Sequence, residues 1–176
     1  MKLGGEHGTA TAAVNAEVEM QIRGLMLDPN TNMPVVVLKD VAGDRVLPIW
    51  VGIFEASAIQ LELEKTTTPR PMTHDLLGNL VRGLNAVVRK VVVSEMRNNT
   101  FFALIWLEQD GETVVLDARP SDGIALALRC DCPIYASRQV LESAPQVAEG
   151  PQSVDSEERR RWLENLNDDE MGRYKM

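Results

Sequence analysis

Three short stretches combine ionisable side chains with the turn or helix-start positions at which chemistry is usually presented. They are Trp50-Val-Gly-Ile-Phe-Glu55, Arg70-Pro-Met-Thr-His-Asp75 and Asp117-Ala-Arg-Pro-Ser-Asp122. Carboxylates gathered from such junctions could hold Mg²⁺ or Mn²⁺ through oxygen, activate a water and stabilise a leaving oxygen in phosphodiester cleavage. Glu55, Asp117 and Asp122 are the candidate metal ligands, and Glu55, Asp75 and Asp122 the candidate catalytic acids. Arg70 and Arg119 would clamp phosphate, bidentate where geometry allows, with Ser121 beside them as a further substrate contact. His74 is one of two histidines, and His7 lies in a small-residue leader, so His74 is the candidate proton carrier near neutral pH.

A plainer account competes with this one. Thr73 and Ser121 have the chemistry of helix N-caps, and Glu55, Asp75 and Asp122 would complement the positive end of a helix dipole. Capping alone, however, has no use for Arg70, His74, Asp117 and Arg119 at the same junctions.

The elements around these junctions follow from periodicity. Apolar and polar residues alternate from Val18 to Ile22 and on through Leu27, as in a half-buried strand, and Asp28–Asn32 is a turn. Met33–Leu38 and Val46–Val51 read as strands joined by a hairpin over Val41–Arg45. Helical spacing runs from Phe54 to Leu63, a proline-stiffened loop from Thr66 to Pro71, and a second helix from His74 to Gly83. The programme then repeats with strands Ala86–Val93, Phe101–Trp106 and Thr113–Asp117 and a helix from Ser121 to Leu128. Sliding the chain on itself by 67 residues sets Val46–Ile49 on Thr113–Leu116, Glu55 on Asp122 and Ala58–Leu61 on Ala125–Leu128. The predicted fold is therefore α/β (α+β), a duplicated β-β-β-α(α) unit with mainly antiparallel sheets packed against helices. Pro133–Ala136 is a further strand, after which Ser137 caps a helix to Ser143.

This organisation divides the chain into a leader (1–16) expected to be disordered, a domain (17–143) with halves at about 17–84 and 85–143, a linker (144–156) and a tail (157–176). The tail reads as a short amphipathic C-terminal helix edged by Trp162, Leu163 and Leu166.

Composition sets outer bounds. A chain of 176 residues with 44% apolar content can bury one ordinary core. It has neither an apolar run of bilayer-crossing length nor a secretory signal pattern, so it is expected in the cytoplasm, away from membrane. The net charge of −8 is concentrated at the ends, residues 142–176 holding nine acids against five bases. A nonspecific nucleic-acid binder would carry clustered Lys and Arg, so contact with RNA or DNA must use a local basic patch or metal ions. Cys130 and Cys132 form half a zinc site with no second pair, and read as buried thiols in a reducing compartment. Walker, G-x-G-x-x-G, H-E-x-x-H and G-x-S-x-G patterns are missing, which removes support for nucleotide motors, dinucleotide enzymes, zincins and α/β-hydrolases; no organic cofactor is expected.

At the three junctions the sequence resembles the bifunctional nuclease domain. The matching stretches are Pro48-Ile-Trp-Val-Gly with Glu55-Ala-Ser-Ala-Ile59, Arg70-Pro-Met-Thr-His-Asp-Leu76, and Asp117-Ala-Arg-Pro-Ser-Asp-Gly-Ile-Ala-Leu-Ala-Leu-Arg129 with Pro133-Ile-Tyr. The resemblance covers about residues 18–143, with the tail from Trp162 similar to the family's C-terminal extension. It departs at Gly123, where the family usually has Ala. It implies a duplicated α/β fold, a homo-dimer or higher homo-oligomer, and nuclease activity on RNA and DNA as in plant members. The rival expectation is a non-catalytic ligand-binding or assembly module using the same polar residues for recognition or structure.

Overall fold

The computed structural model describes residues 16–144. The expected leader, linker and tail helix lie outside them, apart from Ala16 and Ala144. Eleven elements follow in order: β1 (Glu17–Leu27), β2 (Pro34–Asp40), β3 (Val46–Trp50), α1 (Ile53–Leu63), α2 (Thr73–Gly83), β4 (Ala86–Arg97), β5 (Thr100–Gln109), β6 (Glu112–Ala118), α3 (Pro120–Cys130), β7 (Ile134–Ser137) and α4 (Arg138–Ser143). The class is α+β, as the periodicity predicts, but with one sheet rather than several.

That sheet has seven strands in the order β3-β2-β1-β7-β4-β5-β6. Each outer triplet is an antiparallel meander. Their hairpins use turn chemistry legible in the residues. Asn98 and Asn99 both take positive φ between Arg97 and Thr100, and Asp110 and Gly111 do the same between Gln109 and Glu112. Two consecutive left-handed residues define the turn whose twist matches a hairpin, and Asn, Asp and Gly adopt it at least cost. The short β7 joins the meanders, antiparallel to β1 and parallel to β4.

The helix α3 lies at the centre of the helical layer, against α1, α2, β4 and β5. Its run Gly123–Ala127 is buried all round, which explains why it reads as a nearly continuous small-apolar stretch. Gly123 is the point of closest approach: a Cβ there would stand 2.8 Å from Cγ1 of Val91 and 3.9 Å from Cγ1 of Ile105. Val91 and Ile105 therefore face the helices, together with Leu38, Leu47, Ile59 and Ile124 in one apolar cluster. Burial of that cluster is the principal stabilising contribution.

Two expected caps need correction. Thr73 is the first helical residue of α2, and the extended residue before it is Met72. Ser121 is likewise inside α3, which starts at Pro120 after an extended Arg119. Proline suits the first helical position because its missing N–H has no partner there in any case. Ser137 does cap α4, its Oγ accepting from the Val140 N–H at 3.2 Å.

Candidate active site

The first turns of α1, α2 and α3 are joined by side-chain contacts. Arg119, immediately before α3, donates from Nε to Oδ2 of Asp122 at 2.7 Å and from Nη2 to Oδ1 at 3.2 Å. Its Nη1 stands 2.8 Å from Oε1 of Glu55 in the first turn of α1. On the other side, Nε2 of His74 in α2 lies 3.1 Å from Oδ1 of Asp122. Glu55, Arg119, Asp122 and His74 thus form one chain of contacts. Three positive helix ends meeting here favour the two carboxylates.

Exposure differs along the chain. The Arg119 side chain is 65% exposed and that of His74 only 12%. A solute therefore meets the guanidinium first, with the imidazole recessed behind it. Burial works against the ionised form of Asp122, but hydrogen bonds from Arg119 and His74 and their charges outweigh it and hold the carboxyl below its usual range. Asp122, then Glu55, raise the Arg119 guanidinium further still.

Asp75 belongs to a neighbouring but separate arrangement. Its Oδ2 accepts from the Met72 N–H at 2.7 Å, which ties down the start of α2. Its Oδ1 accepts from Nε of Arg129. Arg129 is 6% exposed and also donates to the Ala125 carbonyl at 2.9 Å and the Ala58 carbonyl at 3.1 Å. One buried guanidinium therefore links α1, α2 and α3, bonded to the residue that follows His74. Burial opposes ionisation of Asp75 too, and the Met72 N–H, Arg129 and the charge of His74 overcome it, so its carboxyl also stays low. Arg129 had no assigned role from sequence. Its signal was available: it falls on the helical stripe Asp122, Ala125, Arg129, seven residues from a site carboxylate.

Other candidates are placed elsewhere. Asp117 pairs with Leu104 in the β5–β6 ladder, one residue out of phase with the Ile105–Leu116 pair that faces α3. Its side chain consequently belongs to the sheet face away from the helices. Ser121 is buried. Arg70 is exposed in the loop leading to α2, where its carbonyl accepts from Thr68 Oγ1. Cys130 and Cys132 are free and half-buried. Burial, reinforced by Cys130 and Asp131, pushes the Cys132 thiol up to about 11, so both thiols favour the unreactive protonated form.

The expected metal ligands do not make a fitting metal centre in this arrangement. A guanidinium occupies the space between the Glu55 and Asp122 carboxylates, and Asp117 is on the other face. Among the described residues, no three His, Cys, Asp or Glu side chains group as metal ligands.

Comparison with known proteins bears on what this cluster is for. A family model described as the bifunctional nuclease domain matches residues 36–149, a span that includes Glu55, His74, Arg119, Asp122 and Arg129. The chain belongs to the bifunctional nuclease domain family. An uncharacterized protein of Mycobacterium tuberculosis (strain ATCC 25618 / H37Rv) is 38% identical over 126 residues, covering 72% of this chain and 75% of that one. Bifunctional nuclease 1 of Oryza sativa subsp. indica is 30% identical over 127 residues, 70% of this chain but 38% of the rice protein. Bifunctional nuclease 1 of Arabidopsis thaliana is 30% identical over 114 residues, 62% of this chain and 35% of that protein. This chain thus spans little over a third of the plant relatives' length. No helix among the described residues is long and apolar enough to cross a membrane.

Proposed function

We propose that this protein hydrolyses phosphodiester bonds of RNA or DNA at the Glu55–Arg119–Asp122–His74 cluster. The observation that carries the reading is the His74–Asp122 contact beside an exposed, doubly paired Arg119, inside the residues that match the bifunctional nuclease domain. The imidazole accepts a proton from water as its oxygen bonds to phosphorus, and Asp122 stabilises the imidazolium that forms. The bond to the leaving oxygen breaks, and the same imidazolium returns the proton to it. Arg119 meets the phosphate by exchanging Glu55 for a phosphate oxygen, and its planar fork suits that exchange.

No metal step enters this scheme, because the carboxylates as arranged serve a guanidinium. Mg²⁺ or Mn²⁺ would have to displace Arg119 to reach Glu55 and Asp122 together. A second reading, a non-catalytic binding or assembly module, is favoured by the apolar side chains exposed around the cluster, among them Phe54, Met72, Leu76 and Leu80.

The deciding experiment incubates the purified full chain with end-labelled single-stranded RNA and DNA in Mg²⁺, Mn²⁺ or EDTA, beside His74→Ala and Arg119→Ala. Cleavage by the wild type that is lost in both variants and persists in EDTA supports the scheme. Cleavage unchanged in the variants points to another site, and absence of cleavage in every condition favours the binding module.

A further inference from the structure

Helix α2 is apolar on two sides. One side, where Gly78 and Val81 are buried, packs against α3. The other carries Met72, Leu76, Leu80 and Leu84 at four-residue intervals, and they are 48%, 63%, 56% and 55% exposed. At helical rise these four make one ridge about 18 Å long. A single exposed leucine on a surface needs no explanation, but a continuous apolar ridge marks a place where something packs. A helix with apolar stripes on two sides is normally covered on both, and among the described residues nothing covers this one.

We infer that this ridge is the docking site of the chain's own tail, residues 156–166, folded as a helix. Ser156-Glu-Glu-Arg-Arg-Arg-Trp-Leu-Glu-Asn-Leu166 sets Trp162, Leu163 and Leu166 on one side, and a helix this short is marginal without a surface to lie on. Its eleven residues equal the eleven of α2. The reach is ample. Helix α4, ending at Ser143, packs on β4 as α2 does, and its Val140 shares the core cluster with Val81 of α2. The residues from 145 to 155 can extend to about 36 Å, roughly twice the length of α2. Tethering favours this occupant over a separate molecule, since a short linker holds the tail at an effective concentration on the order of millimolar. Charge sets the direction. With the two helices antiparallel, Glu157 and Glu158 approach Arg82 in the last turn of α2, while Asp168, Asp169 and Glu170 approach its positive first turn and the exposed Arg70. A parallel arrangement would bring those last three acids to the negative carbonyl end instead. The docking stands whether or not the chain cleaves nucleic acid.

Hydrogen exchange on the full chain, read relative to the amides of α3, tests the docking from both sides. In the wild type the amides of residues 157–166 should be protected. Leu76→Asp combined with Leu80→Asp, both at exposed positions, should lower that protection about tenfold or more. Trp162→Asp combined with Leu166→Asp should in turn speed exchange in α2 by a smaller factor. Mixing the two double variants in equal amounts should restore neither, because each tail serves its own α2. An unprotected wild-type tail, or a tail or an α2 indifferent to the substitutions in the other, would overturn the docking. So would protection regained on mixing, which would mark the tail of a second copy as the occupant.

Discussion

Nε2 of His74 lies 3.1 Å from Oδ1 of Asp122 across 48 residues of sequence, and this contact fastens the first turn of α2 to that of α3. In the proposed scheme the two side chains act as one unit. His74→Asn should lower cleavage by about 10² to 10⁴. Asp122→Asn should lower it too, and the double variant should be little worse than His74→Asn alone. Single-turnover rates on labelled RNA check this; losses that simply multiply would mean that the residues work independently.

Arg129 is expected to matter for stability more than any charged residue at the rim. Its removal takes the charged donor from Asp75, leaving that carboxylate only the Met72 N–H, and takes the second donor from the Ala58 carbonyl. Breaking a buried pair from one side costs about 3–5 kcal/mol, and the partial exposure of Asp75 places Arg129→Ala near the lower end. Arg129→Lys should recover little, since one ammonium cannot reproduce the fork that spans three helices. Urea midpoints at constant slope measure both.

Acid should loosen the same region. Asp75 and Asp122 have folded values below the ordinary 3.8, so the unfolded chain takes up protons first as the pH drops. The stability they contribute is complete above that ordinary value and is lost as pH falls through the lowered folded ones. Asp75→Asn and Asp122→Asn should each flatten the acid limb of a plot of urea midpoint against pH from 7 to 3. An unchanged limb in both would show that other groups control it.

Gly123→Ala sets two effects against each other. Alanine gains roughly 0.5–1 kcal/mol in a helix interior. The new methyl, however, would meet Cγ1 of the fully buried Val91 at 2.8 Å, and overpacking costs about 1–3 kcal/mol. The net expectation is a loss of roughly 0.5–2 kcal/mol. In a Val91→Ala background the same change should cost less or become favourable, which thermal melts of the four proteins would reveal.

The sequence made some of these features readable and hid others for physical reasons. Strands and hairpins were accessible because alternation, Asn98-Asn99 and Asp110-Gly111 are local signals. The caps were misplaced because Thr73 and Ser121 have capping hydroxyls, whereas the chain turns one or two residues earlier; Pro120 was the better marker of the start of α3. Asp117 was grouped with the site because it is only two residues from Arg119. Asp117 points away from the helices while the chain leaves β6 after Ala118 and sets Arg119 at the start of α3, and β6, exposed on both faces, offers no apolar alternation to reveal it. The meeting of three helix starts depends on how α3 packs between α1 and α2, a long-range relation that no local pattern encodes.

The position of β7 bears on how the protein is made. Four residues from the far end of the described chain form the sole strand bridge between two meanders that precede them. On a ribosome, both early hairpin sets can form while that slot stays vacant, and the sheet becomes continuous only when Ile134–Ser137 has cleared the exit tunnel. This last strand of the described residues is then a closing latch, and a nascent chain halted before it would present two inner strand edges to chaperones.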